Sequence, residues 1–334
     1  MTSLLSVEDL RVHLPQGDRM VAAVDGVSFD VQPGQVVGIA GESGSGKTMT
    51  ALALLGLLPS GAKVSGRAMY GDIDLTTARP SEVRALRGTE LAIVFQDPMT
   101  SLHPMLSVGR QLTEHLRHHE RVSRRAARVR AIELLTELRI PNPGVALNSY
   151  PHQFSGGMRQ RIAIAIAIAC RPRLLIADEP TTALDVTIQA GIIRLLDWLR
   201  QESDLGIILI THDLGVLSSL ADVMHVFYGG RIVESGSRAL VLGAPRHPYT
   251  RGLLDALPRS GADQTAAALS PIPGTAPRLG EAPPGCAFHP RCKYVRETCR
   301  VESPRLAEVD DARRLACPVD PLAPSVSTPK MEQA

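Results

Sequence analysis

The chain has 334 residues, a length that allows about two domains. Its 36 basic and 34 acidic side chains leave a formal charge of +2, which excludes a polybasic nucleic-acid binder held by bulk electrostatics. Hydrophobic residues make up 44% and charged residues 21% of the chain, as in ordinary globular proteins, so wholesale disorder is also excluded.

The sequence predicts no secretory signal and no membrane span. Its longest strongly apolar stretch, between Lys47 and Lys63, is interrupted by Gly56, Pro59 and Gly61. A spanning helix needs about 20 apolar residues. We therefore expect a reducing cytosolic compartment, in which cysteines are metal ligands or inert packing groups more often than disulfides.

Short apolar runs alternate with helix-like stretches such as Ser123–Leu138 and Val186–Gln201. Each run leads directly into polar residues; the runs are Val36–Ala40, Leu91–Phe95, Leu174–Ala177 and Ile207–Ile210. Continuous apolar runs are typical of central strands in a mostly parallel sheet that is covered on both faces. The pattern predicts an α/β fold with its functional residues beyond the carboxyl ends of the strands.

A glycine-rich loop follows the first of these strands. Residues 41–48 match G-x-x-x-x-G-K-[ST] and precede a predicted apolar helix, Met49–Leu58. In this setting backbone N–H groups surround phosphate oxygens, and the helix N-terminus favours their charge. Lys47 is expected to reach the β and γ phosphates, and the Thr48 hydroxyl to hold Mg²⁺. The nucleotide-binding residues predicted in this loop are Gly41, Ser43, Gly44, Gly46, Lys47 and Thr48.

Two adjacent carboxylates follow the run Leu174–Ala177. Asp178 is placed at the strand end to hold Mg²⁺, as in P-loop nucleotide triphosphatases. Glu179 comes one residue later, so its side chain points to the other side and is able to polarise an attacking water. Paired acids after a strand are often merely a turn, but a second P-loop element at this distance from the first favours a nucleotide site.

These motifs resemble the nucleotide-binding subunit of ABC transporters. Further family motifs appear in the family's order: Gln96 within Val94–Pro98, the signature Phe154–Arg161, Ala183-Leu184-Asp185, and His212 after Ile207–Ile210. The resemblance implies an ABC ATPase fold, with a mostly parallel core sheet, antiparallel N-terminal strands and an inserted helical subdomain.

The resemblance also assigns roles to single residues. Glu179 and His212 are implied as catalytic residues, and Thr48, Gln96 and Asp178 as the groups around Mg²⁺. Ser155, Gly156 and Gly157 begin a helix that faces the γ-phosphate bound to a second subunit, and Asp185 belongs to the same nucleotide interface. The strict Ile/Ala alternation of Ile162–Ala169 alone predicts a strand. Because the signature implies a helix that begins at Gly157, we expect these residues to be helical instead.

One family feature is missing. An aromatic residue that stacks on adenine is usual about 25–35 residues before the loop lysine, but Leu14 stands at that position with His13 beside it. Leu14 offers some apolar contact, so this departure concerns base affinity and selectivity and not phosphate binding.

Finer resemblance indicates the ATPase subunits of bacterial oligopeptide and dipeptide importers, a group that includes nickel importers. It rests on Phe95–Leu102, on the signature variant, on His247–Thr250 and on four late cysteines. It implies a dimer, with a second ABC ATPase as a heterodimer partner. The dimer acts on two membrane permease subunits at the cytoplasmic face, supplied by an extracytoplasmic solute-binding protein, with no nucleic acid involved. The alternatives are a soluble ABC ATPase in translation or DNA repair, a nickel-importer ATPase, or a regulatory subunit.

The last predicted feature is a C-terminal appendage with a cysteine cluster. Five prolines within residues 271–284 indicate an extended or irregular segment. We divide the chain into a body (1–260, with the helical subdomain at about 97–160), the appendage (261–320) and a flexible tail (321–334). The thiols of Cys286, Cys292, Cys299 and Cys317 suit an iron–sulfur cluster or a zinc ion, and the absence of any metal is the third alternative. Their spacing argues mildly against zinc and does not match ferredoxin runs either. Because related importer ATPases carry a [4Fe–4S] cluster on similarly placed cysteines, the resemblance favours that cluster.

Overall fold

The computed structural model describes residues 3–182, 184–257, 271–310 and 312–323. Within these ranges the strands form two sheets, an antiparallel sheet in the order β2-β1-β4-β5 and a larger one in the order β11-β12-β10-β9-β3-β8-β7-β6. The strands are β1 (Leu5–Gln16), β2 (Arg19–Val31), β3 (Val36–Ala40), β4 (Lys63–Tyr70), β5 (Ile73–Asp74), β6 (Leu91–Val94), β7 (Leu174–Asp178), β8 (Gly206–Thr211), β9 (Val223–Tyr228), β10 (Arg231–Ser237), β11 (Ala307–Asp310) and β12 (Arg313–Leu315).

In the described ranges the helices connect the strands, and five of them follow one another between β6 and β7 in the sequence. They are α1 (Lys47–Leu54), α2 (Pro80–Leu86), α3 (Pro98–Ser101), α4 (Val108–Glu120), α5 (Arg124–Glu137), α6 (Pro143–Ala146), α7 (Gly156–Ile168), α8 (Val186–Ser203), α9 (Leu214–Leu220), α10 (Arg238–Gly243), α11 (Pro248–Asp255) and α12 (Thr298–Val301). No helix in the described part of the chain is both long enough and apolar enough to cross a bilayer.

The centre of the larger sheet is parallel and covered on both faces, which explains the continuous apolar runs. Strand β3 lies between β8 and β9, and β7 continues the parallel set beside β8. Along β3, Val36 and Ala40 face the helical core, whereas Val37 and Ile39 face the core shared with the antiparallel sheet. The predicted fold class is confirmed.

The local signals for helix ends act as the sequence predicts. Ser123 accepts a hydrogen bond from the Ala126 N–H at the start of α5, and Ser155 caps α7 by accepting from Met158. Helix α1 ends at Leu54, earlier than the predicted Met49–Leu58, because Gly56 turns the chain with a φ of +61°.

The C-terminal segment is more ordered than the composition indicates, since β12 pairs with β10 and so extends the larger sheet. Arg313 on β12 reaches Glu234 on β10 at 3.3 Å, and both side chains are almost fully buried. Residues 258–270 and 324–334, which contain the predicted end of the body and most of the predicted tail, lie outside the described residues.

Candidate functional site

The glycine-rich loop joins β3 to α1 in a conformation that depends on glycine. Gly41, Gly44 and Gly46 have φ values of +147°, +79° and +103°. A Cβ on Gly41 would lie 2.3 Å from the Phe227 carbonyl oxygen, so no larger residue fits there. A Cβ on Gly44 would meet no atom within 4 Å, which leaves space against the loop for an anionic ligand.

Lys47 lies at the first position of α1 and points back into the loop. Its Nζ donates hydrogen bonds to the carbonyl oxygens of Gly41 at 2.7 Å and Glu42 at 2.9 Å. Burial lowers the pKa of Lys47, and the carboxylates of Glu179, Asp178 and Glu42 partly oppose that change. A buried ammonium that donates to two carbonyl oxygens is well placed to exchange them for phosphate oxygens.

Asp178 ends β7 beside this loop and fits the residue set of a magnesium site. Burial raises the pKa of Asp178, while a hydrogen bond from Thr48 and the charge of Lys47 lower it. Among the described residues, its buried Oδ1 has no hydrogen-bond partner, and neither has the Ser45 hydroxyl. Mg²⁺ in nucleotide sites is held by one or two protein oxygens together with phosphate and water, so Asp178 and Thr48 suit that ion.

The Glu179 carboxylate contacts Gln96 and His212, two residues from sequence motifs that lie far apart along the chain. Its Oε2 accepts hydrogen bonds from Gln96 Nε2 at 3.0 Å and from the Thr182 hydroxyl at 2.8 Å. Its Oε1 lies 3.1 Å from His212 Nδ1. Thus the segments that follow β6, β7 and β8 each place one polar side chain against the Glu179 carboxylate, at the carboxyl ends of these strands.

The signature residues and Asp185 form a separate patch. Ser155 and Gly156 are exposed at the N-terminus of α7, and a Cβ on Gly157 would lie 2.4 Å from Ile188 Cγ2 on α8. Asp185 caps α8 by accepting a hydrogen bond from the Ile188 N–H at 3.0 Å. Ala183 lies outside the described residues. None of the hydrogen bonds within the described ranges joins this patch to the glycine-rich loop.

The four late cysteines are gathered by the fold and are free of disulfides. Burial raises the pKa of Cys286 to about 11, and the other three thiols add to that rise. In the described ranges, however, no group of three or more His, Cys, Asp or Glu side chains has the arrangement of a metal site. The predicted metal centre is therefore not supported as a formed site among the described residues, and burial also raises the pKa of Cys292 and of Cys317.

Two contacts at the site have no counterpart in the motif analysis. Thr182 lies three residues after Glu179, and its polar side chain in the turn after β7 was the available signal. Tyr249 accepts a hydrogen bond from the Glu42 N–H at 2.9 Å across 207 positions, and nothing in the local sequence indicates that contact. Leu14 pairs with Val21 in the antiparallel sheet and packs partly buried on its core.

Comparisons with known proteins identify the family of this chain. Residues 24–182 match the family model described as ABC transporter, and residues 233–299 match the one described as oligopeptide/dipeptide transporter, C-terminal region. The chain is 46% identical over 316 residues to the dipeptide transport ATP-binding protein DppD of Escherichia coli (strain K12), covering 94% of this chain and 96% of that protein. It is 44% identical over 321 residues to the oligopeptide transport ATP-binding protein OppD of Salmonella typhimurium (strain LT2), covering 96% of this chain and 95% of that protein.

Solved structures of similar fold are ABC ATPases. A dimeric post-hydrolysis state of the ATP-binding cassette MJ0796 bound to ADP and Pi has a TM-score of 0.63 and 26% identity, covering 70% of this chain and 98% of that one. The cbiO1 protein of Clostridium perfringens has a TM-score of 0.62 and 27% identity, covering 73% of this chain and 92% of that one. The chain therefore belongs to the ATP-binding subunits of ABC transporters, in the oligopeptide and dipeptide group.

Proposed function

We propose that this chain binds Mg–ATP on Gly41–Thr48 and hydrolyses it with a water positioned by Glu179. The observation that supports this most directly is the triple contact of Glu179 with Gln96, Thr182 and His212. A carboxylate fixed by three neighbours at the end of β7 is prepared to orient water beside a γ-phosphate. Thr48, Gln96 and Asp178 are the groups proposed for Mg²⁺.

We further propose that two such subunits close head to tail around ATP. The exposed N-terminus of α7 at Ser155, Gly156 and Gly157 has free N–H groups and a favourable dipole for the γ-phosphate of the partner's ATP. Asp185 would lie in the same interface. The dimeric MJ0796 structure supports this arrangement by similarity. The proposed partner is a second, similar ABC ATPase rather than an identical copy.

The proposed task is to energise import of peptides or a related small solute. The C-terminal family match and the names of the dipeptide and oligopeptide relatives support it. Two permease subunits and a solute-binding protein outside the membrane would complete the transporter, with this chain peripheral on the cytoplasmic face. Uptake of a labelled dipeptide in cells that contain these partners should stop when Lys47 is replaced by Ala.

The test of hydrolysis is Glu179→Gln. The amide keeps the shape of the side chain but removes the charge that orients water, so ATP turnover should fall about 100-fold or more while ATP binding persists. Phosphate release and retained nucleotide in a closed dimer are the measurements. Glu82→Gln, at an exposed carboxylate paired with Arg79, is the control. Turnover at the normal rate in Glu179→Gln would exclude Glu179 as the water-positioning residue.

We also propose that Cys286, Cys292, Cys299 and Cys317 bind a [4Fe–4S] cluster, with zinc as the alternative. Four gathered thiols are the donor set that both groups use. After anaerobic purification we expect about four irons per chain and broad absorbance near ~400 nm. Cys292→Ser should lose them, whereas Cys170→Ser should not. One zinc without iron, or no metal, would overturn the cluster.

A further inference from the structure

The C-terminal segment reaches the glycine-rich loop through one buried arginine. Arg291 ends the short 3-10 turn His289–Arg291, next to Cys292. Its side chain is only 7% exposed. The guanidinium carbon lies 5.8 Å from the centroid of the Tyr228 ring and 5.9 Å from that of Phe288. The Nε donates a hydrogen bond to the Pro273 carbonyl oxygen at 2.8 Å, so the guanidinium is fixed in one orientation.

The other end of this guanidinium holds Glu42, the second residue of the loop. Arg291 Nη1 lies 3.0 Å from Glu42 Oε2 and 3.3 Å from the Tyr228 hydroxyl. The Glu42 N–H donates to the Tyr249 hydroxyl, and the Glu42 carbonyl oxygen accepts from Lys47. The side chain and the backbone of one loop residue are thus both held by residues more than 200 positions later.

The contact between Arg291 and Glu42 affects nucleotide binding through the charge of the Glu42 carboxylate. The Glu42 carboxylate stands in a loop that must receive a polyphosphate, and like charges in a partly buried site repel strongly. Arg291 neutralises the carboxylate and holds it toward the C-terminal segment. Removing the arginine would leave a half-buried carboxylate without its cation, beside the place where the phosphates bind.

We propose that Arg291 is a positioning residue of the ATP site, and that through it the cysteine-containing C-terminal segment sets the affinity for ATP. The proposal rests on the ATP site proposed above. It assigns the segment a role in nucleotide binding that is separate from any metal it holds. Arg300 is the matched control for Arg291, because it also stands beside a cysteine of the same segment, Cys299. Its side chain is 54% exposed, however, and its Nε lies 3.8 Å from Glu297 Oε2.

The test measures the Kd of the full-length chain for Mg–ATP by fluorescence titration, with steady-state kinetics in parallel. Arg291→Ala should weaken ATP binding about tenfold and raise KM more than it changes kcat. Arg291→Lys should recover part of the affinity, because it restores the charge without the fork that reaches both Pro273 and Glu42. Arg300→Ala should leave the Kd unchanged.

A suppressor separates positioning from a merely structural role. Glu42→Gln removes the charge that Arg291 neutralises, so Glu42→Gln combined with Arg291→Ala should bind ATP within about threefold of the original chain. A structural defect would not be repaired by that change. If Arg291→Ala does not fold, Arg291→Lys with and without Glu42→Gln gives the same comparison.

Two outcomes would overturn the inference: an unchanged Kd in Arg291→Ala, or an equal loss with and without Glu42→Gln. Lys47→Ala distinguishes this from failure of the proposed function. If Lys47→Ala binds ATP normally, the nucleotide does not use this loop at all. If Lys47→Ala loses ATP while Arg291→Ala retains it, only the role of Arg291 is wrong.

Discussion

Glu179 holds its three partners from an unusual backbone conformation. Its φ is +48°, in the left-handed region that residues with a Cβ rarely adopt. The Glu179 N–H donates to the Ile210 carbonyl oxygen at 2.8 Å, which ties this turn to β8. Strain of this kind persists where surrounding contacts determine the conformation, as they do at functional sites.

The Thr182 hydroxyl is one of two donors to the same Glu179 oxygen, and its removal tests how much orientation matters. In Thr182→Val the carboxylate keeps Gln96 and His212 but loses the hydrogen bond from the Thr182 hydroxyl, which helps to fix its orientation. We expect kcat to fall about threefold to tenfold with little change in the Kd for ATP. Thr182→Ser keeps the hydroxyl and is the matched control. Equal kcat in all three proteins would contradict the prediction.

At the level of single residues, sequence motifs predict the functional side chains that directly follow a strand. Glu179, His212 and Lys47 each stand in a local pattern whose chemistry is readable from the sequence. Thr182 and Tyr249 do not, because their role depends on which groups the fold places within 3 Å of them. Arg291 is the extreme case, since its partner is 249 positions away.

Helix α7 shows why periodicity misleads on a buried element. Ile162, Ala163, Ile164 and Ala165 are all buried, so this part of the helix has no polar face to reveal its period. Alternation of Ile and Ala then imitates a strand. The N-terminal cap at Ser155 and the helix preference of alanine predict the element correctly where the pattern does not.

The close contact between Gly157 on α7 and Ile188 on α8 predicts that a larger residue at position 157 lowers the free energy of unfolding. Gly157→Ala would place a Cβ 2.4 Å from Ile188 Cγ2, and overpacking of this kind costs about 1–3 kcal/mol of unfolding free energy. Gly144→Ala in α6 is the matched control, because its Cβ would meet nothing within 4 Å. Thermal or urea unfolding should show a loss for Gly157→Ala and none for Gly144→Ala. Equal stability of the two variants would mean that α8 moves aside freely.

At the scale of the whole molecule, the sequence predicts the apolar central strands of the larger sheet. It does not predict that β12 adds to the edge of that sheet beside β10. β3 and β8 stand out because both of their faces are buried. By contrast, β12 has only three residues, two of them arginines, and it becomes a strand because Glu234 on β10 receives Arg313. Such a pairing depends on tertiary contacts rather than on propensity.

The buried histidines predict that the whole molecule loses stability in acid. Burial lowers the pKa of His225 from 6.5 to about 4, with a contribution from Arg314. Between these pH values the unfolded chain binds a proton that the folded chain excludes, so unfolding free energy falls as pH falls through this window. His115 and His247 act in the same direction, with pKa values of about 4 and about 3.

His225→Leu isolates one of these groups. Neither ring nitrogen of His225 has a hydrogen-bond partner within the described residues, so leucine removes the titration without breaking a bond. Urea unfolding from pH 7 to pH 4.5 should show a pH slope smaller by up to about 1.4 kcal/mol per pH unit. Unchanged slopes would mean that His225 does not contribute to acid unfolding.

The contact between Arg291 and Glu42 has a consequence for how the protein is made. The two residues are 249 positions apart, and a nascent chain grows at about 5–20 residues per second. About 10–50 s therefore pass between synthesis of the phosphate loop and synthesis of the arginine that holds it. After β10 has been made, the edge that pairs with β12 stays open until residues 313–315 follow, and an open edge is a site for wrong pairing. A growing chain thus completes its nucleotide loop only near the end of translation, and ribosome-bound chains that stop before residue 291 should bind ATP about tenfold more weakly than the full chain.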